Sequence, residues 1–378
     1  VRDMSKLPHV GTTIFTTMSK MATDHQAINL SQGFPNFPVD AKLVSLLQET
    51  ALENAHQYVP MSGYAGLLEE IATLTMQSYH RSVNPETEVL VTAGATQGIF
   101  TTIQALVHAG ENVVILDPAY DCYAPAVLLA GAEPIHVNML PDFTPDWEKI
   151  NQAVNAKTAL IIVNNPHNPS GKILQESDLL ALENLLERHP QLILLSDEVY
   201  EYITFEQKHI SANTRSALLD RTIVVSSFGK TFHITGWKIG YLIAPEKYMR
   251  EIKKVHQFLV FCVNSVAQIS LAKYLKEIDV QQLGRFYQAK RDYFQDLMKK
   301  SRFELLPSEG SYFQTARFSS ISTESDTVFV EKLVKEHGVA AIPFSAFYQD
   351  HFDQQIIRFC FAKDNETLEK AAQKLCQI

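Results

Sequence analysis

Short apolar runs that end in clusters of Gly, Pro, Asn and Ser recur through the middle of the chain, with helix-like stretches between them. EVLVTAGAT (Glu88 to Thr96), ENVVILDPAY (Glu111 to Tyr120), TALIIVNNPHNPSG (Thr158 to Gly171), QLILLSDEVY (Gln191 to Tyr200), RTIVVSSFGK (Arg221 to Lys230) and KIGYLIAP (Lys238 to Pro245) are the runs concerned. Their Val, Ile and Leu residues do not alternate with polar ones. Each strand is therefore expected to be buried on both faces, as in a parallel sheet covered by helices. SDLLALENLLERH (Ser177 to His189) has helical periodicity, with Ser177 as the predicted N-cap. Strands alternating with helices predict an α/β fold. Further on, DVQQLGRFYQAKRDYFQDLMKKS predicts a long amphipathic helix, followed by short strands and a last helix over NETLEKAAQKLCQI. The expected organisation is a large α/β unit over 39–275 and a smaller α+β unit, 276–378, packed with the N-terminal arm 1–38.

A chain of 378 residues has ample material for two such units. Its net charge of −9 and the lack of any basic run argue against nucleic acid or an anionic membrane surface as partner. Cys122, Cys262, Cys360 and Cys376 are scattered with no CxxC pair, so neither a metal site nor a redox dithiol is expected. Reduced thiols, no signal-peptide pattern in VRDMSKLPHVGTTIF and no run of membrane-spanning length together predict a cytoplasmic protein that handles small molecules.

Open α/β sheets bind ligands at the carboxyl ends of their strands, so the chemistry is sought there. Gly94-Ala95-Thr96-Gln97 opens onto a helix, whose free N–H groups and dipole suit a phosphate. Tyr120, after Asp117-Pro118, is a flat aromatic able to stack on a ring. In NNPHNPSG two Asn-Pro pairs bracket His167, and Asn168 supplies an amide. Asp197 leaves a buried strand, where a carboxylate needs a cation or a donor. Lys230 follows RTIVVSSFG, an unusual place for a residue that is seldom fully buried. Singly, each has an ordinary reading: a small-residue turn, a packed tyrosine, a loop, an N-cap, a solvated lysine. Together on one sheet edge they match what pyridoxal 5′-phosphate requires: a lysine for its aldehyde, an acid for its pyridine nitrogen, and amides and cations for its phosphate.

SSFGKTFHITGWKIGY, NNPHNPSG, SDEVYEYITF and IIRFCFAKD, with QGFPNFP and QYVPMSGYAGLLEEIA nearer the start, resemble signatures of the fold-type I, class I/II aminotransferases. Within these they resemble the kynurenine aminotransferase and glutamine transaminase K group, over a stretch from about residue 10 to the C-terminus. The resemblance implies that Lys230 is the Schiff-base lysine and proton carrier, and that Asp197 pairs with the pyridine nitrogen. Tyr200 and Asn168 would bond the ring's phenolic oxygen. The region of Ala95, Thr96 and Gln97, with Ser227 and Lys238, would hold the phosphate, Lys238 standing where aspartate aminotransferases commonly have arginine. Arg358 would grip the substrate α-carboxylate, assisted by the backbone at Gly33. Tyr58 would reach the phosphate bound by a neighbouring subunit, implying a homodimer with composite sites.

For the substrate side chain the resemblance offers Phe15, with Tyr64 and Phe261 as further contributors. Cys262 falls where kynurenine aminotransferases often carry histidine. An apolar pocket suits methionine, aromatic and similar large neutral donors, handing nitrogen to a 2-oxo acid by a ping-pong cycle. A cysteine-conjugate β-lyase would share Lys230, Asp197 and Arg358, and a catalytically silent regulator would share the fold. The acidic balance disfavours the regulator. A dinucleotide-dependent dehydrogenase is disfavoured because no GxGxxG follows the first strand.

Overall fold

The computed structural model describes residues 4–378. Its centre is a seven-stranded sheet: β1 (Val89–Thr92), β2 (Asn112–Asp117), β3 (Glu133–Asn138), β4 (Thr158–Asn164), β5 (Ile193–Asp197), β6 (Thr222–Ser227) and β7 (Gly240–Ile243). Along the sheet they lie in the order β1-β7-β6-β5-β4-β2-β3. All neighbours run parallel except at β7, which is antiparallel to both β1 and β6.

The unbroken apolar runs are explained by two cores. Val91, Val114, Leu116, Ile161, Val163, Leu194 and Val224 point into one, while Leu90, Val113, Ile115, Leu160, Ile162, Leu195, Ile223 and Val225 point into the other. Each such side chain removed from water contributes about 1.5–3 kcal/mol. β3, EPIHVN, is a strand that the apolar pattern does not predict. It is a half-buried edge strand paired only to β2, where Pro134 and polar residues are tolerated.

Two expectations of local structure need correction. The helix over Glu176–Arg188 is capped by Gln175, not Ser177: Gln175 and Asp178 form a reciprocal capping box, which places Ser177 inside the first turn. The long helix predicted after residue 279 starts as a 3-10 turn, Val280–Gln282, capped by Asp279, and is α-helical over Leu283–Met298.

A third core joins Met18, Ala22 and Leu30 to Tyr287, Phe294, Phe313, Phe359 and Leu368. Around it, Ile342–Pro343, Ile356–Cys360, Phe313–Arg317 and Glu304–Leu305 form a four-stranded antiparallel sheet, and Ile28–Asn29 pairs in parallel with Val339–Ala340. Among the described residues no helix is long and apolar enough to cross a membrane.

β7 decides where the chemistry sits. Gly240 lies opposite both Thr92 and Ser227, so the helix that follows β1 (Gly94–Leu106) and the short one that follows β6 (Phe228–Thr231) start side by side. A Cβ at Gly240 would stand 2.6 Å from the Ser226 carbonyl oxygen and 3.0 Å from the Ala95 nitrogen, with backbone on both sides. Gly240→Ala is therefore expected to lower unfolding stability by about 1–3 kcal/mol in urea titrations, and a loss below about 0.5 kcal/mol would show that the two helix starts can yield.

Candidate active site

At the carboxyl ends of β4, β5 and β6 lies a cavity of about 290 Å³, closed from the other side by the arm and by Phe313 and Arg358. Phe15, Gly33, Ala95, Thr96, Tyr120, Asn168, Asp197, Tyr200, Ser227, Lys230, Lys238 and Arg358 all line it, so twelve of the sequence-derived candidates converge there. Gln32, Phe34, Asn164 and Thr235 line it as well.

Lys230 reaches the cavity from the first helical turn after β6. Its Nζ donates to the Gly33 carbonyl at 3.1 Å, and the Tyr312 hydroxyl donates to the same oxygen at 2.5 Å. The amine also stands 5.7 Å from the centre of the Tyr200 ring and 5.9 Å from that of Tyr312. Among the described residues no carboxylate is bonded to it. Burial lowers its pKa to about 8, with the Arg358 and Lys238 charges adding to the shift and Asp197 opposing it. About a tenth of this amine is consequently unprotonated, and nucleophilic, at pH 7, far more than for an ordinary lysine.

Asp197 ends β5, its carboxylate fully enclosed. Tyr123 donates its hydroxyl to Asp197 Oδ2 at 2.5 Å, and the Val199 N–H points at Oδ1. Burial dominates these donors and pushes the carboxyl up to about 6. Beside it in the sheet, Asn164 donates from Nδ2 to the Asp197 carbonyl at 3.0 Å and accepts the Asn168 N–H on Oδ1 at 2.7 Å. One amide thus fixes both neighbours.

Arg358, 1% exposed on the strand Ile356–Cys360, donates from Nη1 to Asn168 Oδ1 at 2.6 Å and from Nη2 to the Ser31 carbonyl at 3.1 Å. Its guanidinium stacks 3.8 Å from the centre of Phe313. Its Nε–H is buried and has no acceptor among the described residues. Burial lowers the pKa to about 10, which leaves the group cationic at neutral pH. A buried cation with an unanswered donor, facing a cavity, is a receptor for an anion such as a carboxylate.

The opposite end of the cavity is the helix start at Gly94, where φ is +77° and a Cβ would meet Lys238 Nζ at 3.1 Å. Tyr120 and Thr96 line the cavity together there. His167 proves to be a strut: its Nε2–H donates to the Pro118 carbonyl at 2.8 Å and Nδ1 accepts from Ser170 Oγ at 2.5 Å. Burial depresses it to about 4, so it stays neutral and pins the NNPHNPSG turn to the loop that carries Tyr120.

Several candidates lie elsewhere. Gln97 does not line the cavity; its carboxamide turns back to accept the Ala93 N–H at 2.8 Å, because Ala93 has no side chain with which to cap the helix. Tyr58 is 82% exposed on the surface, edge-on to Phe261 with ring centres 5.2 Å apart. Tyr64 begins the helix Ala65–Tyr79 and packs against the first core, and Cys262 is a free, half-buried thiol. None of these three, nor Phe261, reaches this chain's own cavity. Conversely, sequence reasoning passed over Tyr123, Asn164, Tyr312 and Phe313. Asp197's need for a donor was the one available signal for Tyr123.

The Asp197 shift has a consequence for stability. A carboxyl raised from 3.8 to about 6 contributes stability that is fully present below pH 3.8 and is lost as pH rises through 6. In the ligand-free chain Asp197→Asn should therefore gain on wild type between pH 4 and 7.5, by about 3 kcal/mol at most. Thermal melts at the two pH values check this, and an equal offset at both would contradict it.

The sequence profile of the family described as "Aminotransferase class I and II" matches residues 25–375. The chain is 44% identical to the methionine aminotransferase of Escherichia coli K12 over 99% of its own length and 98% of the relative's. It is 30% identical to human kynurenine–oxoglutarate transaminase 1, over 94% and 93% of the two chains. The crystal structure of E. coli YbdL, described as having a methionine aminotransferase function, superposes with a TM-score of 0.97 at 44% identity, covering 100% of both chains. The family match spans nearly the whole chain and the cavity sits at the strand ends of a fold shared along its full length; the protein belongs to the class I and II aminotransferases.

Proposed function

We propose that the cavity binds pyridoxal 5′-phosphate and that the enzyme transfers the amino group of methionine, or of aromatic and other large neutral amino acids, to a 2-oxo acid. The observation that carries this reading is the position of Lys230: an amine with its pKa near 8, between a buried acid, a helix start beside Lys238, and a buried guanidinium with a free N–H. The donor set fits the cofactor part by part. First-turn N–H groups of Ala95 and Thr96, Ser227 Oγ and Lys238 would hold the phosphate. Tyr120 would lie against the ring, Asp197 would keep a proton on its nitrogen, and Tyr200 and the Asn168 amide would bond its phenolic oxygen. When bound, the cofactor supplies an aldehyde for the amino group and a ring that accepts the electron pair left at Cα.

The chain's own groups do the rest. Arg358, with the backbone at Gly33, holds the substrate α-carboxylate and so aims Cα at Lys230. The Lys230 Nζ, freed when substrate takes its place, removes the proton from Cα and later returns one, acting first as base and then as acid. Enclosure by Phe15, Phe34 and Phe313 keeps water from the reacting atoms. Among the described residues, the cations lining the cavity are Lys230, Lys238 and Arg358, each already assigned. With none left for a second carboxylate, the side-chain region favours a neutral donor, in keeping with the 44% identical methionine aminotransferase. The kynurenine reading is supported more distantly, by a relative 30% identical.

Exposed apolar side chains support a homodimer. Tyr58 at 82% exposure, Phe258 at 87% and Leu52 at 91% are costly to leave in water, and a second copy would cover Tyr58 while bringing it to the partner's phosphate. The cores support the division into a unit over 39–275 and one formed by 1–38 with 276–378: the third draws on the latter except for Tyr200 and Ile203, and the first two on the former except for Val280. Four free thiols suit a cytoplasmic setting.

Visible absorbance of the cofactor-loaded protein tests the reading. L-methionine without an acceptor should shift the band, and a 2-oxo acid should restore it. A band that ignores methionine removes the proposed donor, and no uptake of the cofactor removes the whole reading. Lys230→Ala is expected to lose about 10²–10⁴-fold or more in turnover. Arg358→Lys, which keeps the charge but loses the fork, should raise the KM for the amino acid about 10-fold or more in steady-state assays; an unchanged KM would remove Arg358 from carboxylate binding.

A further inference from the structure

Gln97 and His256 face away from the cavity, yet they hold one wall of it. The helix over Gly94–Leu106 begins after Ala93, which offers no capping side chain. Gln97 folds back so that Oε1 accepts the Ala93 N–H at 2.8 Å. Its Nε2 then donates to Thr101 Oγ1 at 2.5 Å and to His256 Nδ1 at 3.2 Å. His256 comes from the helix over Glu246–Leu259 and is 0% exposed. The Ala93 N–H needs the oxygen, which fixes the carboxamide orientation; its NH2 then faces His256, so the imidazole accepts on Nδ1 and carries its proton on Nε2. His256 thus keys Gln97, and Gln97 keys the first turn. That cap satisfies the Ala93 N–H and leaves the first-turn N–H groups of Ala95 and Thr96, which line the cavity, without a helical partner. His256 is also tied to the surface, since its carbonyl accepts the N–H groups of Val260 at 2.9 Å and Phe261 at 3.0 Å, and Phe261 carries the ring packed on Tyr58.

From this we propose that Gln97 and His256 are positioning residues for the phosphate cradle: they fix from behind the direction in which the Ala95 and Thr96 N–H groups point, and link that direction to the turn beneath Tyr58. The proposal rests on the pyridoxal phosphate reading of the cavity. With His256 replaced by an apolar residue, the Gln97 NH2 loses its acceptor, the carboxamide is free to rotate, and the Ala93 N–H can lose its oxygen. The first turn then frays where a phosphate would sit. Lys230 and Asp197 are untouched.

The distinguishing measurement compares pyridoxal phosphate with pyridoxal, which lacks the phosphate, by titrating each into cofactor-free dimer and following absorbance. Wild type should bind the phosphorylated form much more tightly. His256→Leu should weaken pyridoxal phosphate about 10-fold and leave pyridoxal within about twofold, while inorganic phosphate competes less well for the site. His256→Gln, which restores an acceptor, should recover most of the lost affinity. Gln97→Met, at a half-exposed position, gives the same comparison should His256→Leu fail to fold. Equal weakening of both ligands, or no weakening of either, would overturn the positioning role. A wild type with no preference for the phosphorylated form would instead overturn the cofactor reading on which it stands.

Discussion

Three ionisable side chains, Lys230, Asp197 and Arg358, share one cavity, and withdrawing them from water is the constraint around which the rest is arranged. Burial moves each toward its neutral form, to about 8, 6 and 10 respectively. None of the three is directly paired with another; each is held instead by an uncharged partner: the Gly33 carbonyl, the Tyr123 hydroxyl, the Asn168 amide. A direct ion pair would have quenched the amine and filled the guanidinium. Neutral partners orient the groups and leave their charge unspent, at a cost in stability that the apolar cores of the sheet offset.

The run SDEVYEY shows how one stretch serves two environments. Asp197 and Tyr200 face the cavity. Glu198 and Glu201 turn away into buried polar surroundings, where Glu198 accepts from Ser196 Oγ and the Ala212 N–H, and Glu201 accepts from the Tyr79 and Tyr241 hydroxyls. Burial pushes Glu201 up to about 7, so near neutrality it carries less charge than an exposed glutamate would. The turn that presents the acid and the phenol to the cavity is therefore anchored from its far side.

Buried strands were legible because two-sided burial leaves unbroken Val/Ile/Leu runs, and reading only their ends located the amine, the acid and the aromatic. Edge strand β3 was not legible, since half-burial dilutes the apolar pattern and Pro134 argues against a strand. The reversal of β7 also left no local trace: GYLI reads alike in either direction. That the Gln97 side chain turns away from the cavity was not legible, because position in a helix start does not reveal which way a long side chain folds, and here it caps the Ala93 N–H. Tyr312 and Asn164 act through single hydrogen bonds between distant segments, which apolar periodicity does not encode. Arg358 and Tyr58 came from resemblance alone; among residues read without it, nothing in their spacing marked them.

The Gly33 carbonyl receives two donors, the Lys230 amine and the Tyr312 hydroxyl. An acceptor shared in this way acts as a mooring with two lines. In the cycle proposed for this site the amine leaves the Gly33 carbonyl, and the phenol, bonded to the same oxygen, still holds the Gln32-Gly33-Phe34 stretch over the cavity. The roof of the site thus keeps one mooring even when the other is released.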